Sequence, residues 1–168
     1  IVVMKSGRTE AGARAASSHT GSLAGSYTAF QAAFQQARVI QANSIEELFD
    51  YSQILSSIHE FEGKIAIVTN SGGPGVMAAD ATDTFGLNLA SFDRKTVEEL
   101  KKVLPPEASV YNPVDVLGDS DAERFRKTVS IVAEDSDVGA IVVILTPTAQ
   151  IDFDEAANSI IELRKPVV

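Results

Sequence analysis

Apolar runs alternate with segments of helical spacing along the first part of the chain. Residues 1–5 and 38–42 are strand-like, and residues 21–37 and 44–58 carry apolar side chains at the spacing of a helix face. Ser44 followed by Glu47 forms a capping box, which predicts the start of the second helix. Residues 6–18, rich in Gly and Ala, are predicted to form a loop.

A second series of elements begins near residue 64. The pattern predicts strands over residues 64–69, 87–92 and 139–147, an extended segment and turn over 109–118, and a strand at 165–168. Helices are predicted over about 75–85, 94–104, 121–135 and 152–164. Such alternation predicts an α/β fold, in which parallel sheets carry helices on both faces. We expect two similar units, residues 1–60 and 61–168, each lacking strands of a full unit.

The composition excludes several classes of protein. A net charge of −9 and a pI near 4.6 argue against a nucleic-acid surface, which requires clustered Lys and Arg. The chain has no Cys and only two His, so neither a disulfide framework nor a His/Cys metal cluster is expected. Its apolar runs are too short for a bilayer span or a signal peptide. We expect a cytoplasmic protein with no membrane partner and no metal site.

The segment TNSGGPGVMAAD joins a predicted strand to a predicted helix. Gly72, Gly73 and Gly75 let backbone N–H groups approach an anion, and the helix N-terminus adds positive partial charge. No Gly-Lys-Ser/Thr follows, so this is not a P-loop. Two other interpretations stay open: a tight turn that binds nothing, and a dinucleotide fingerprint, Gly73-x-Gly75-x-x-Ala78 with Asp93 about 20 residues on.

The segment SSHTGSLAGS places His19 among small residues, directly before a predicted helix. An imidazole is a competent nucleophile toward a phosphoryl group, and Thr20, Gly21 and Ser22 leave room for a phosphate. The alternative is a structural histidine, the commoner role of a single His. If the helix N-termini of both units face one phosphate, His19 would carry a phosphoryl group in a cradle of backbone dipoles.

Three segments resemble one family across nearly the whole chain. KSGRTEAGARAASSHTGSLAGS resembles the phosphohistidine segment of the NDP-forming acyl-CoA synthetases, relatives of succinyl-CoA synthetase. TNSGGPGVMAADATDTFGL resembles their second glycine loop, and NPVDVLGDSDAERFRKTV resembles a further Asn-Pro-x-Asp segment. The resemblance implies flavodoxin-like domains and an ADP-forming acid–CoA ligase.

The resemblance also implies a mechanism and its residues. An acyl phosphate forms first, His19 takes its phosphoryl group, and a mobile loop (residues 6–18 here) carries it to a nucleotide. The two "power helices" would begin at residues 20–25 and 70–75. The implied phosphate-binding residues are Thr20, Gly21, Ser22, Asn70, Ser71, Gly72, Gly73 and Gly75.

The same family binds CoA and ATP or ADP with Mg²⁺ mainly on a CoA-binding domain and an ATP-grasp domain. Neither domain lies in this chain, so both are expected partners, and an oligomer is expected. The family's acidic residue that orients the histidine is expected upstream of Ile1. Some proteins of this fold are protein acyltransferases whose synthetase-like region lacks the histidine. The presence of His19 favours a phosphoryl relay over a non-catalytic acyl-CoA-sensing or regulatory module, which remains an alternative beside the dinucleotide-binding oxidoreductase.

Other polar residues have weaker interpretations. A turn is predicted at Asn112, Pro113 and Asp115. The resemblance implies that these residues also line an acyl or phosphate pocket. Lys5 and Arg8 either steer anions or are solvated. The remaining candidates are predicted to be structural: His59 at a helix end, and Asp152, Asp154 and Glu155 in a first helical turn.

Overall fold

The computed structural model describes residues 1–20, 25–57, 61–149, 151–160 and 165–168. The chain divides into two compact units, Ile1–His59 and Glu60–Val168. Among the described residues, no helix is both long and apolar enough to cross a membrane.

In its described residues the first unit contains two short parallel strands and three helices. In chain order these are β1 (Val2–Met4), α1 (Glu10–Thr20), α2 (Tyr27–Gln36), β2 (Ile40–Ala42) and α3 (Ile45–Ser57). Val2 lies opposite Ile40 and Met4 opposite Ala42, and α3 packs on both strands. Of the described residues in this unit, only Ala42 is buried. The unit by itself therefore has little core.

The prediction of a loop over residues 6–18 is confirmed for residues 6–9 and wrong beyond them, because residues 10–20 form α1. The four Ala residues among these positions are the strongest helix formers, and they outweigh the single Gly12. The Thr9 hydroxyl accepts the N–H of Gly12 at 3.1 Å, and Glu10 pairs with Arg14 one turn on. Local propensity therefore extends an ordered helix up to His19.

The other predictions for this unit are largely confirmed. Ser44 Oγ accepts the N–H of Glu47 at 3.0 Å, and the Glu47 carboxylate accepts the N–H of Asn43 at 2.7 Å, so the capping box forms with its return bond shifted by one residue. The helix expected over residues 21–37 is present from Tyr27, while residues 21–24 lie outside the described part.

The second unit is a parallel sheet between helices. Its elements are β3 (Lys64–Thr69), α4 (Gly72–Thr84), α5 (Arg94–Val103), β4 (Val114–Asp115), α6 (Ala122–Ala133), β5 (Val138–Ile144) and α7 (Phe153–Asn158). The strand order is β4-β3-β5, with Val68 opposite both Val114 and Val143.

Alternate residues of β3 point to opposite sides of this sheet. Ala66 and Val68 join the larger core, which includes Leu100, Phe125 and Ala156 from α5, α6 and α7. Ile65 and Ile67 pack with Ala78 and Ala79 of α4 on the other face. The predicted parallel sheet with helices on both faces is confirmed for this unit.

Four elements of this unit differ from the prediction. The strand expected over residues 87–92 is reduced to one bridge between Leu89 and Ile65, and residues 165–168 form one bridge from Val167 to Ile141. Helix α4 begins at Gly72, three residues early: Ser71 is its extended N-cap, and Pro74 lies in the first turn, where a missing N–H costs no helical hydrogen bond. Strand β5 ends at Ile144, so residues 145–147 are loop. Residues 161–164 of the expected last helix lie outside the described part.

Candidate active site

The loops that follow β3, β4 and β5 meet at the carboxyl edge of their sheet. The chain passes from β3 to β4 on one side and then to β5 on the other. This reversal makes the edge a topological switch point, the place where open α/β sheets bind ligands. Gly118, after β4, lies against the loop after β3, since a Cβ built on it would be 3.8 Å from the Asn70 carbonyl.

Two side chains fix the loop after β3. Asn70 is 3% exposed, and its amide binds Thr146 in the loop after β5: Nδ2 donates to the Thr146 carbonyl at 2.9 Å, and Oδ1 accepts the Thr146 N–H at 2.8 Å. The Thr69 hydroxyl accepts the N–H of Ser71 and donates to the Ser71 carbonyl, both at 3.0 Å. The Asn70 side chain and the Ser71 N–H are therefore already hydrogen-bonded within the protein and are not available to a ligand.

The first two amides of α4 are free to bind a ligand. No hydrogen bond of the described residues uses the N–H of Gly72 or Gly73, and Ser71 at the N-cap makes no side-chain cap. Both glycines are exposed, and a Cβ on Gly73 would meet nothing within 4 Å. Two unpaired N–H groups at the positive end of a 13-residue helix can bind an anion.

The carboxylate of Asp115 lies beside the same turn. Its Oδ1 accepts the N–H of Leu117 at 2.9 Å, and Oδ2 is 3.3 Å from a Cβ built on Gly72. Gly72 therefore accommodates Asp115, whose negative charge opposes an anion at the adjacent amides.

Gly75 and Asn112 are structural. Gly75 is buried, and a Cβ on it would lie 2.9 Å from Thr69 Cγ2. The Asn112 amide binds inside the sheet, to the Ile67 N–H and to the carbonyls of Ile65 and Ala90, at 2.8–3.0 Å. The Asn112–Pro113 peptide is cis. Because its amide is committed within the sheet, the geometry does not support Asn112 as a pocket residue.

The dinucleotide interpretation fails on the position of Asp93. Its N–H donates to Asp135 at 3.0 Å, and the nearby Ser91 N–H donates to Asp137, which also pairs with Lys64 at the start of β3. Asp93 therefore lies toward the amino end of β3, whereas the fingerprint acid belongs at the carboxyl edge with the glycine loop. The Asp93 carboxylate caps α5 instead, and the N–H of Thr96 at 2.7 Å holds the pKa of that carboxyl below its usual value.

His19 lies in the last turn of α1 and is exposed. His19 itself lies within a helix, and the start of the helix expected directly after it falls on residues 21–24, which lie outside the described part. The Thr20 side chain, Gly21 and Ser22 lie outside the described part, as does His59. His19 therefore lies at the negative end of its own helix dipole.

Helix α1 is attached at its other end. Gly7, at φ 76°, turns the chain into the helix, and the guanidinium of Arg8 binds the Asn43 side chain at 2.9 Å as well as its carbonyl. Arg8 therefore anchors the start of α1 although its side chain is exposed, and Lys5 lies 4.9 Å from the Phe30 ring centre. None of the residues of α1 with a described side chain is buried, and α1 makes no extensive contact with another described helix or strand.

The remaining acidic candidates are structural, as predicted. Asp152 caps α7 by accepting the N–H of Glu155 at 3.0 Å, and Asp154 and Glu155 occupy its first turn. Within the described ranges, no group of three or more His, Cys, Asp or Glu side chains could hold a metal ion. Thr69 and Thr146 are not among the residues singled out from the sequence; the signal available was a polar residue at the end of a parallel strand (Thr69) or two residues beyond it (Thr146).

Two family models cover most of the chain. Residues 1–55 match the succinyl-CoA ligase-like flavodoxin domain, and residues 65–164 match the ligase-CoA domain. The chain is 56% identical over 161 residues to the ADP-forming acetate–CoA ligase I of Archaeoglobus fulgidus, covering 96% of the chain and 23% of that protein. It is 41% identical to the alpha subunit of ADP-forming acetate–CoA ligase II of Pyrococcus furiosus, covering 99% of the chain and 37% of the subunit.

A solved structure agrees with these matches. The dinucleotide-forming acetyl-coenzyme A synthetase 1 of Ca. Korarchaeum cryptofilum, in complex with phosphate and ADP, superposes with a TM-score of 0.86 at 36% identity. The match covers 99% of this chain and 38% of that one, so the chain spans about a quarter to two fifths of these relatives. The chain belongs to the ligase-CoA family, that of the ADP-forming acyl-CoA synthetases.

Proposed function

We propose that the chain forms the ligase core of an enzyme that interconverts acyl-CoA, ADP and phosphate with acid, CoA and ATP. The observation that carries this proposal is the pair of unused amides of Gly72 and Gly73 at the start of α4. A protein with a net charge of −9 must bind a phosphate dianion locally, and these amides offer such a place. The relatives named for ADP-forming acetate–CoA ligation support the reaction class.

In this proposal His19 carries the phosphoryl group. Phosphate displaces CoA from acyl-CoA to give an acyl phosphate. A ring nitrogen of His19 then attacks phosphorus, the bond from phosphorus to the acyl oxygen breaks, and the acid leaves as a carboxylate. Transfer to a terminal oxygen of ADP gives ATP and returns the imidazole to its neutral form.

The structure of α1 supports a carrier role. The anchor at Arg8 and Asn43 lies at one end of the helix, and His19 lies roughly 15 Å away at 1.5 Å per residue. Helices shorter than ~12–15 residues are marginal without packing, and α1 has 11 residues, none of them buried among the side chains described. Moving or unwinding α1 would therefore break few core contacts.

Fewer residues are proposed here as phosphate ligands than the resemblance implies. The N–H groups of Gly72 and Gly73 and the Ser71 hydroxyl are free, whereas Asn70 is committed to Thr146 and Gly75 to packing. Thr20, Gly21 and Ser22 stay as expected ligands beside His19. CoA, ATP or ADP and Mg²⁺ would be bound mainly by a CoA-binding domain and an ATP-grasp domain or subunit.

The test uses the full-length protein together with its ATP-grasp partner. Acetate or other small acids, CoA and Mg-ATP are supplied, and acyl-CoA and ADP are measured. We expect equal amounts of the two products, and loss of turnover in His19→Asn but not in His59→Asn, a matched change at the chain's other histidine. Turnover retained by His19→Asn would reject the relay, and AMP instead of ADP would reject the reaction class.

A further inference from the structure

Thr146 follows β5 by two residues and holds the glycine loop through Asn70. Its N–H and its hydroxyl both donate to Asn70 Oδ1, at 2.8 and 2.9 Å, and its carbonyl accepts from Asn70 Nδ2 at 2.9 Å. The two residues are 76 positions apart in the chain, and Asn70 is 3% exposed. These three bonds therefore form a shielded link between the loops after β3 and β5.

We propose that Thr146 is a positioning residue for the phosphate site at the start of α4 and acts through Asn70. The inference rests on the proposed function, which places phosphate on the amides of Gly72 and Gly73. In this inference Thr146 does not contact phosphate, but it increases the affinity for phosphate by holding Asn70 in place.

The geometry of the loop gives the reason. Asn70 lies between Thr69, whose hydroxyl closes the turn onto Ser71, and the first residues of α4. The direction of the Gly72 and Gly73 N–H groups is therefore set by a backbone that the Asn70 side chain holds in place. Without the Thr146 hydroxyl, Asn70 Oδ1 keeps one of its two donors and its amide gains freedom. Phosphate then binds only the fraction of molecules whose loop keeps the productive arrangement.

The same loop supplies a matched control. Thr148 lies two residues beyond Thr146, and its hydroxyl is buried but has no hydrogen-bond partner in the described structure. A Thr→Val change there removes a hydroxyl of the same kind, from the same loop, without breaking a bond to Asn70.

The experiment compares Thr146→Val, Thr146→Ser and Thr148→Val in the full-length protein with its ATP-grasp partner. It measures KM for phosphate and for ADP in the direction of ATP formation, the Kd of inorganic phosphate by calorimetry, and thermal unfolding. We expect Thr146→Val to raise the KM and Kd of phosphate about 3- to 10-fold, with the KM of ADP unchanged. Thr146→Ser, which restores the hydroxyl, and Thr148→Val should match the native protein.

The inference and the proposed function can fail separately. A Thr146→Val protein with native phosphate affinity would overturn the inference, and so would equal losses for phosphate and ADP that follow a lowered melting temperature. A native protein that binds phosphate but forms no ATP from acyl-CoA would reject the proposed function. In that case the Kd ratio of Thr146→Val to native still decides the role of Thr146.

Discussion

Gly75→Ala adds one methyl group where α4 packs against Thr69 of its sheet. The new Cβ would lie 2.9 Å from Thr69 Cγ2 and 3.5 Å from Pro113 Cβ. Thr69 is fully buried, and both hydrogen bonds of its hydroxyl go to Ser71, so it cannot rotate away without losing them. Gly73→Ala is the matched control, because its Cβ would meet nothing within 4 Å and its φ is not positive.

The expected magnitude follows from two opposing effects. Overpacking a core by one methyl group costs about 1–3 kcal/mol, and replacing Gly by Ala within a helix returns up to about 1 kcal/mol. We therefore expect Gly75→Ala to lower the free energy of unfolding by about 1–2 kcal/mol and Gly73→Ala to leave it unchanged or slightly raised. The first change should also weaken phosphate binding, since Thr69 shapes the turn that presents the free amides.

Calorimetry of the two variants checks this reasoning. In domains of about 60–100 residues, 1 kcal/mol corresponds to a shift of about 4–8 °C in Tm, so the variants should melt several degrees apart. Equal melting temperatures would refute the packing argument, because the two substitutions are chemically identical and differ only in which protein atoms the methyl group meets.

Three further predictions follow from charge. Asp115→Asn should tighten phosphate binding roughly 5- to 10-fold in calorimetric titrations, because a like charge beside the α4 amides is removed; weaker binding would contradict this. The N–H of Ser91 and then the ammonium of Lys64 lower the pKa of Asp137. The charged carboxylate therefore stabilises the folded state fully at pH values above about 3.9, the pKa of Asp in the unfolded chain. This contribution is lost as the pH falls through the lower pKa of the folded state. Asp137→Asn should therefore lose less stability than the native protein on acidification, measured by thermal unfolding across that range. Phosphorylation of His19 places negative charge at the C-terminus of α1 and should speed amide exchange in residues 10–20; unchanged exchange would oppose this.

Regular packing made most of the second unit predictable from the sequence. Strand β3 was predicted with its observed bounds, because the apolar run 65–68 is buried on both faces between turn residues. The N-cap of α6 at Asp121 and the end of α5 before Pro105 also follow from local chemistry. Such features depend on neighbours in the sequence.

The misses depend on longer-range or competing effects. Alanine propensity turned the glycine- and alanine-rich segment into α1, where composition alone suggested a loop. The link between Asn70 and Thr146 spans 76 positions, and only the parallel pairing of β3 with β5 brings the two residues together. The fingerprint interpretation placed Asp93 at the end of a strand, beside the glycine loop. In the structure the chain turns back toward Asp135 and Asp137 after Leu89 instead of continuing as a strand. Individual candidate residues could therefore be identified from the sequence, whereas their hydrogen-bond partners could not.

Labelling of His19 tests the central proposal most directly. The full-length protein and its ATP-grasp partner are incubated with γ-labelled ATP and Mg²⁺, and protein-bound label is followed in native and His19→Asn proteins. The account predicts acid-labile, base-stable phosphate on the native chain, absent from the variant and discharged by acid plus CoA. Label that survives in His19→Asn, or no label on a folded and complete native enzyme, would contradict it.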